Sequence, residues 1–263
     1  MSIKQALTIR GLVELASRGV VLRRRLPASL GGTQLYVSPE AGGLRYWRFN
    51  MEKVDPILLG LARQLVRSGS VVWDIGANLG LFAFAAAHLA GHRGQVVAVE
   101  PDVDNAALLY RSRRVQRHSA RVDIIVAVVA GEPGIAQLAI AQRSRATNAL
   151  AGFGSTQMGG VREVRHVMTV TLDQLAKQFG PPSVIKIDVE GAEALVLEGG
   201  RQLLAEHHPT LVIEVCSETS ERVTSTLRDL GYELHDGEVP GHPRVETACW
   251  CTLALPPPKE SRP

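Results

Sequence analysis

Apolar and polar positions change their period several times along the 263 residues. Residues 3–21 place Ile3, Leu7, Leu12, Leu15, Ala16 and Val20 along one helical face and run into Arg23-Arg24-Arg25, which predicts an amphipathic basic helix. Such a helix can cap a core with a solvated basic edge, the reading preferred here, or touch a membrane surface or a partner. Between 27 and 50, Gly31-Gly32 and Gly42-Gly43 punctuate two strand-like runs, 33–37 and 44–49, and predict a β-hairpin. Asp55-Pro56 then opens a helical stretch to Arg67, since Asp suits a cap and Pro a first turn, and Ser68-Gly69 closes it.

From Val71 onward, short apolar strands alternate with helices. Strands are expected at 71–75, 95–100, 122–130, 183–188 and 210–215, and helices at 78–90, 105–115, 172–178, 192–204 and 220–230, with late strands near 232–235 and 248–255. This order predicts an α/β fold: a mostly parallel, doubly wound sheet with a late antiparallel strand. Residues 131–170 lose the pattern and carry Gly152, Gly154, Gly159 and Gly160, so an irregular or hairpin insertion is expected there, of the kind that shapes substrate pockets. The expected organisation is an N-terminal extension over 1–50, one α/β domain over 51–256 and a frayed tail over 257–263.

Composition narrows the class without naming the chemistry. With 45% hydrophobic residues and a formal charge of +3, the chain suits one buried core, and the small basic surplus does not by itself call for nucleic acid or an anionic membrane. Three cysteines, Cys216, Cys249 and Cys251, are too few for a disulfide framework, and point to a reducing compartment with the cytoplasm as the default. Cys249 and Cys251 flank Trp250 as same-face strand positions. Apolar runs are short, and Lys4, Arg10, Glu14 and Arg18 interrupt the start, so neither a membrane span nor a signal peptide is expected.

The chemistry concentrates at strand ends. Val72-Trp73-Asp74-Ile75-Gly76-Ala77-Asn78-Leu79-Gly80 runs from a buried strand through a two-glycine turn into a helix, where open α/β sheets bind ligands. Gly76 permits the turn and Gly80 lets the helix approach the sheet. Asp74 places a carboxylate where a cationic ligand group could rest, which suits S-adenosyl-L-methionine better than a pyrophosphate; taken alone, Asp74 is equally a helix-capping acid. Glu100 ends the next strand, where an acid can accept both hydroxyls of a ribose, and Pro101-Asp102 turn the chain away.

A second acidic tip follows in Lys186-Ile187-Asp188-Val189-Glu190-Gly191, expected to face the same crevice. Asp188 is the candidate to orient or deprotonate an acceptor hydroxyl. Lys186 is a candidate partner for an acid, catalytic or structural. Glu214 ends a further apolar strand, so Asp188 and Glu214 are candidate ligands for Mg2+, with a direct carboxylate base as the alternative.

At these residues the sequence resembles the FkbM family of methyltransferases. The resemblance is carried in order by Asp74 to Gly80, Glu100-Pro101, Thr171-Leu172-Asp173, Lys186 to Gly191 with Glu193, and Pro209 through Glu214. It implies a class I methyltransferase (Rossmann-like) fold, S-adenosyl-L-methionine as donor, and O-methylation of a hydroxyl on a sugar, polyketide or other secondary metabolite. By position it places Asp74, Gly76, Asn78, Gly80 and Glu100 around the donor, joined by the neighbouring Ala77, Pro101 and Asp102, with Asp188 and Glu190 on the reaction side. A small-molecule acceptor is expected under the 143–160 insertion, with Asn148 as a candidate contact, and a homo-oligomer stays open. The competing readings are a dinucleotide-dependent oxidoreductase, which the carboxylate before Gly76 disfavours, and a nucleic-acid-binding protein using Arg111, Arg113, Arg114 and Arg117, which read better as a solvated helix end.

Overall fold

The computed structural model describes residues 17, 19–117, 119–142, 148–150, 152 and 160–257. The predicted helix at 3–21 falls almost wholly outside the described residues, as do most of the 143–160 insertion and the end of the tail. An antiparallel hairpin of β1 (Leu22–Arg25) and β2 (Gln34–Val37) leads to the single turn α1 (Pro39–Gly42) and to α2 (Pro56–Leu65). Then β3 (Val71–Ile75), α3 (Leu81–Ala90), β4 (Gln95–Val99), α4 (Val103–Arg113) and β5 (Arg121–Ile125) alternate. The insertion contributes β6 (Val128–Val129), β7 (Gly134–Ala141), β8 (Ala149–Leu150) and β9 (Val161–Val170). Alternation resumes with α5 (Leu172–Phe179), β10 (Val184–Ile187), α6 (Glu193–Glu198), α7 (Arg201–His207), β11 (Thr210–Glu214), α8 (Ser220–Asp229), β12 (Glu233–Asp236) and β13 (Cys251–Leu255).

The central sheet has the order β12-β13-β11-β10-β3-β4-β5, and only β13 runs antiparallel to its neighbours. Side chains of period two give it two dry faces. Val72, Val96, Ala98, Val122 and Ile124 pack with α3 and the N-terminal hairpin. The intervening Trp73, Ile75, Val97, Val99, Ile185, Ile187, Leu211 and Ile213 pack with α5 to α8 on the other side. Connections therefore cross over both faces, as a doubly wound sheet requires.

Several boundaries differ from the sequence reading for identifiable reasons. The partner of β2 is residues 22–25, not 44–49, which instead form a 3-10 turn over Gly43–Trp47 and an exposed loop. Alternation turns Arg24 inward, and its guanidinium donates to the carbonyl oxygens of Tyr46 at 3.1 Å, Trp47 at 3.1 Å and Arg48 at 2.9 Å, so the loop must wrap it. The expected strand 122–130 bends at 126–127 and passes from the central sheet into a second one, of order β6-β9-β7-β8. The insertion is thus built on a long antiparallel pair, β7 with β9.

The expected helix 192–204 is two helices, broken at Gly199-Gly200. There a Cβ on Gly199 would overlap the carbonyl oxygen of Ala130, and one on Gly200 would press into Leu172, so both glycines serve close packing. Caps fix other ends as read: Asp55 accepts from the Leu58 amide at 2.9 Å with Pro56 following it. Thr171 and Gln174 form a reciprocal capping box on α5.

Candidate active site

The strand order reverses between β3 and β10, and the loops leaving their carboxyl ends form one crevice. After β3 the chain turns through left-handed backbone at Gly76 (φ 76°), Asn78 (φ 48°) and Gly80 (φ 82°). Amides of Gly76 and Ala77 both donate to the Val99 carbonyl at 2.9 Å, and the Asn78 amide donates to Glu100 Oε2 at 2.7 Å. The turn is therefore pinned to the end of β4. A Cβ on Gly76 would overlap the Asp188 carbonyl oxygen, so glycine is required where the two loops touch. Gly80 lies against Phe84 and Leu109, which lets α3 sit close to α4.

Glu100 is buried and accepts three hydrogen bonds: from Asn78 N, from Asp102 N at 3.0 Å and from Asn105 Nδ2 at 3.3 Å. Among the described residues no cation contacts it. Burial pushes its carboxyl up to about 7, against the pull of the two backbone amides. Asp102 caps α4 through the Asp104 amide at 2.9 Å and binds Arg165 at 3.1 Å and Asn148 Nδ2 at 2.9 Å.

The second acidic tip is organised differently. Register places Lys186 of β10 opposite Asp74 of β3 on the face under α3. The Lys186 ammonium lies 3.3 Å from Asp74 Oδ1, 3.2 Å from Asp188 Oδ2 and 2.9 Å from the Gly76 carbonyl oxygen. Burial opposes its charge, but Asp188, Asp74 and Glu214 together hold the ammonium well above its ordinary range. Asp74, only 1% exposed, also accepts from the Ala83 amide in the first turn of α3 at 3.0 Å. Its role as a helix-capping acid holds, and the cation beside it is Lys186.

Beyond Asp188 the backbone turns left-handed at Glu190 (φ 52°) and Gly191 (φ 101°). The fully buried Glu193 fixes that turn, accepting from the Gly191 amide at 2.7 Å and from the Thr219 hydroxyl at 2.6 Å. Burial and the charges of Asp188 and Glu193 push Glu190 up to about 7. Burial and Asp188 push Glu214 up to about 8.

Two pockets open into this crevice. The first, of about 620 Å³, is lined by Gly76, Asn78, Glu100, Pro101 and Asn105 on one side and by Val128, Leu138, Asn148 and Leu150 on the other. The second, of about 1350 Å³, is lined by acids at Asp55, Glu214 and Glu238, by Arg45 and Lys186, and by Tyr46, Ile57, Leu61, Phe82 and Trp250. They share Asn78, Asp188 and Glu190. Of the residues singled out from sequence, Gly76, Glu100, Pro101 and Asn148 lie in the Glu100 pocket, while Asp74, Ala77, Lys186 and Glu214 lie in the Trp250 pocket. Gly80 and Asp102 line neither and act from behind.

The structure places two further candidates. Asn148, the candidate acceptor contact, bridges Asp102 and the Ala141 amide (2.9 Å) on the wall of the Glu100 pocket. The expected Mg2+ ligands Asp188 and Glu214 are not part of any cluster of three His, Cys, Asp or Glu side chains suited to a metal among the described residues. Positive charge between those acids is supplied by Lys186. Sequence reasoning did not single out Arg45, Tyr46, Asp55, Ile57, Glu238 or Trp250 for the site, because only the fold brings these distant segments to β10.

A sequence profile for the methyltransferase FkbM domain matches residues 74–234, well over half of the chain. The chain belongs to the FkbM methyltransferase family. The sheet order, with its single antiparallel strand β13, is that of a class I methyltransferase. Solved structures similar to this FkbM methyltransferase include the methyltransferase FkbM from Methylobacillus flagellatus KT, at 15% identity and a TM-score of 0.48, covering 75% of this chain and 50% of that one. This chain thus spans half the length of that protein. Another is the precorrin-6y C5,15-methyltransferase from Geobacter metallireducens GS-15, at 13% identity and a TM-score of 0.45, covering 78% and 88% of the two chains. A third is a SAM-dependent O-methyltransferase from Thermotoga maritima, at 14% identity and a TM-score of 0.41, covering 78% and 66%. No curated protein sequence matches this chain significantly. Among the described residues no helix is long and apolar enough to cross a membrane.

Proposed function

We propose that this FkbM methyltransferase methylates a hydroxyl of a small-molecule acceptor, with S-adenosylmethionine in the Glu100 pocket and the acceptor in the Trp250 pocket. The observation that carries this reading is that the two pockets meet at the same three side chains, Asn78, Asp188 and Glu190. A donor and an acceptor must touch at one point only, and these pockets offer one common wall.

Glu100 keeps lone pairs for the ribose hydroxyls beyond the amides it already accepts. Val128, Leu138 and Leu150 offer the apolar wall an adenine needs, and Pro101 closes its edge. Gly76 lets the methionine half approach the backbone. The Asn78 Oδ1 is buried without a hydrogen-bond partner among the described residues and suits the donor's ammonium, the place first assigned to Asp74. Asp74, Ala77, Gly80 and Asp102 hold these groups in place.

Bound S-adenosylmethionine supplies an electrophilic methyl on a sulfonium, already a good leaving group. The work left to the protein is chiefly positioning. Asp188, one oxygen held by Lys186, orients the acceptor hydroxyl, and Glu190, close to half-ionised near neutral pH, is placed to receive its proton. Dry walls at Tyr46, Leu61 and Phe82 keep competing water away.

A thermal-shift comparison tests the donor assignment. S-adenosylhomocysteine at about a hundredfold excess over its dissociation constant raises the melting temperature by about 5 °C or more, and NAD+ does not. Stabilisation by NAD+ alone would replace this reading with a dinucleotide enzyme.

A further inference from the structure

The Trp250 pocket carries more negative charge than its own cations balance. Its lining holds Asp55, Asp74, Asp188, Glu190, Glu214 and Glu238 against Arg45 and Lys186. Lys186 contacts Asp74 and Asp188, and the charge of Arg45 acts on Glu190. Asp55, Glu214 and Glu238 are left, and among the described residues none of the three forms an ion pair. The fold gathers them at one end of the sheet. Lys186 lies opposite Val212, and Glu214 follows two residues later, so all three share the face under α2. Register sets Cys251 opposite Glu214, and the Gly237 amide donates to the Cys251 carbonyl at 2.8 Å, which brings Glu238 to the same end. Asp55 arrives as the cap of α2, whose Leu61 packs on Val212 and Cys251. The buried Cys251 thiol feels the result: burial, then the charges of Glu214, Glu238, Cys249 and Asp55, push it up to about 12.

A second feature points to a bound molecule. Tyr46 lines this pocket at only 3% exposure, yet its hydroxyl makes no hydrogen bond among the described residues. A buried phenol ordinarily finds a partner. Burial raises the pKa of that hydroxyl, and the charges of Arg45, Asp55, Lys186 and Asp74 reach it, so it sits between Asp55 and the Asp74–Lys186 pair. Trp250, in the same lining, leaves 52% of its surface exposed. Resting on the reading of this pocket as the acceptor site, we propose that it takes a hydroxylated amine. The ammonium lies between Asp55 and Glu214 beside the Trp250 ring, a hydroxyl meets Tyr46, and the hydroxyl that receives the methyl reaches Asp188. An ammonium supplies the charge these carboxylates lack, and an indole face attracts a cation. A neutral polyol would satisfy Tyr46 but leave the acids facing one another, and an anionic acceptor would be repelled. Mg2+ is the poorer answer, since among the described residues no three His, Cys, Asp or Glu side chains are arranged for a metal.

Isothermal titration into the full chain tests this with two sets of probes: D-glucosamine, N-acetyl-D-glucosamine and D-glucose, and the three galactose counterparts. Each set compares an ammonium among hydroxyls with two neutral molecules of similar shape. The titrations are run with saturating S-adenosylhomocysteine and repeated without it, so that a failed donor site leaves the amine comparison intact. Within at least one set the amine binds at least about tenfold more tightly than either neutral partner. E214Q brings that ratio to within about twofold of unity, while Y46F weakens all members alike by about threefold to tenfold and keeps the ratio. Melting temperatures equal to wild type confirm that both variants are folded. Equal affinities within both sets, no binding by either amine, or a preference that survives in E214Q would overturn the proposal. A chain that binds S-adenosylhomocysteine and prefers the amine, but passes no methyl from S-adenosylmethionine to it, would overturn the acceptor role of the pocket and keep its ammonium site.

Discussion

The two pockets of this FkbM methyltransferase are built by opposite means. Most of the Glu100 pocket comes from the carboxyl ends of neighbouring strands, so the sheet itself sets its geometry: β3 delivers Gly76, β4 delivers Glu100, and β10 delivers Asp188. The Trp250 pocket gathers residues from 45–61, 74–82, 186–190, 212–214 and 238–251, and much of that lining is loop. Their carboxylates differ in the same sense. Among the described residues Glu100 is held by amide donors alone, whereas Asp74 and Asp188 share the Lys186 ammonium. In the proposed reading, a common nucleotide donor is served by rigid strand ends, while an acceptor that differs between enzymes is served by loops that can vary without disturbing the sheet.

The harshest way to break this arrangement is Lys186→Met. It leaves Asp74 and Asp188 without their shared cation, and the buried pair costs about 3–5 kcal/mol when one partner is removed. A urea titration should show the loss, and a midpoint close to wild type would mean that the ammonium does not hold the two strands together. Gly76→Ala comes next, at about 2–5 kcal/mol, because it combines a left-handed backbone with an overlap on the Asp188 carbonyl. Full stability in that variant would show that the two loops have room to separate.

A gentler probe is pH. Glu100, Glu190 and Glu214 titrate near about 7, about 7 and about 8 in the folded chain, above the ~4.3 of an unfolded glutamate. The folded state binds more protons across that interval, so stability is greatest at its acid side and is lost as pH rises from about 4.5 to about 8. Urea midpoints for the unliganded chain should fall over this window; a rise would place these carboxyls among partners the structure does not show. The smallest effect is the most discriminating: Trp250→Ala and Glu214→Gln alter only the second pocket and should leave the S-adenosylhomocysteine dissociation constant within about twofold, measured by calorimetry. A larger change would merge the two pockets into one functional unit.

What was legible in the sequence follows the same division. The strands from Val71 to Glu214 and the acids at their ends could be read from period and position, because a parallel sheet fixes where each strand end must go. Asp74 was legible as a strand-end acid, but its partner was not, since only the register of β10 on β3 sets Lys186 opposite it. Residues 44–49 alternate like a strand yet form a turn and loop, because the buried Arg24 takes their carbonyls as ligands. The bend at 126–127 and the break at Gly199-Gly200 answer to tertiary packing and leave no local period. Trp250 was visible only as part of an alternating run, and nothing in its neighbours told which cavity it would border.

Isothermal titration of S-adenosylhomocysteine into wild type and Glu100→Ala tests the donor assignment most directly. The account predicts one site per chain, with affinity falling about tenfold to a hundredfold in the variant as charge-assisted hydrogen bonds to the ribose are lost. Equal affinity in the two proteins, or no heat from either, would contradict it.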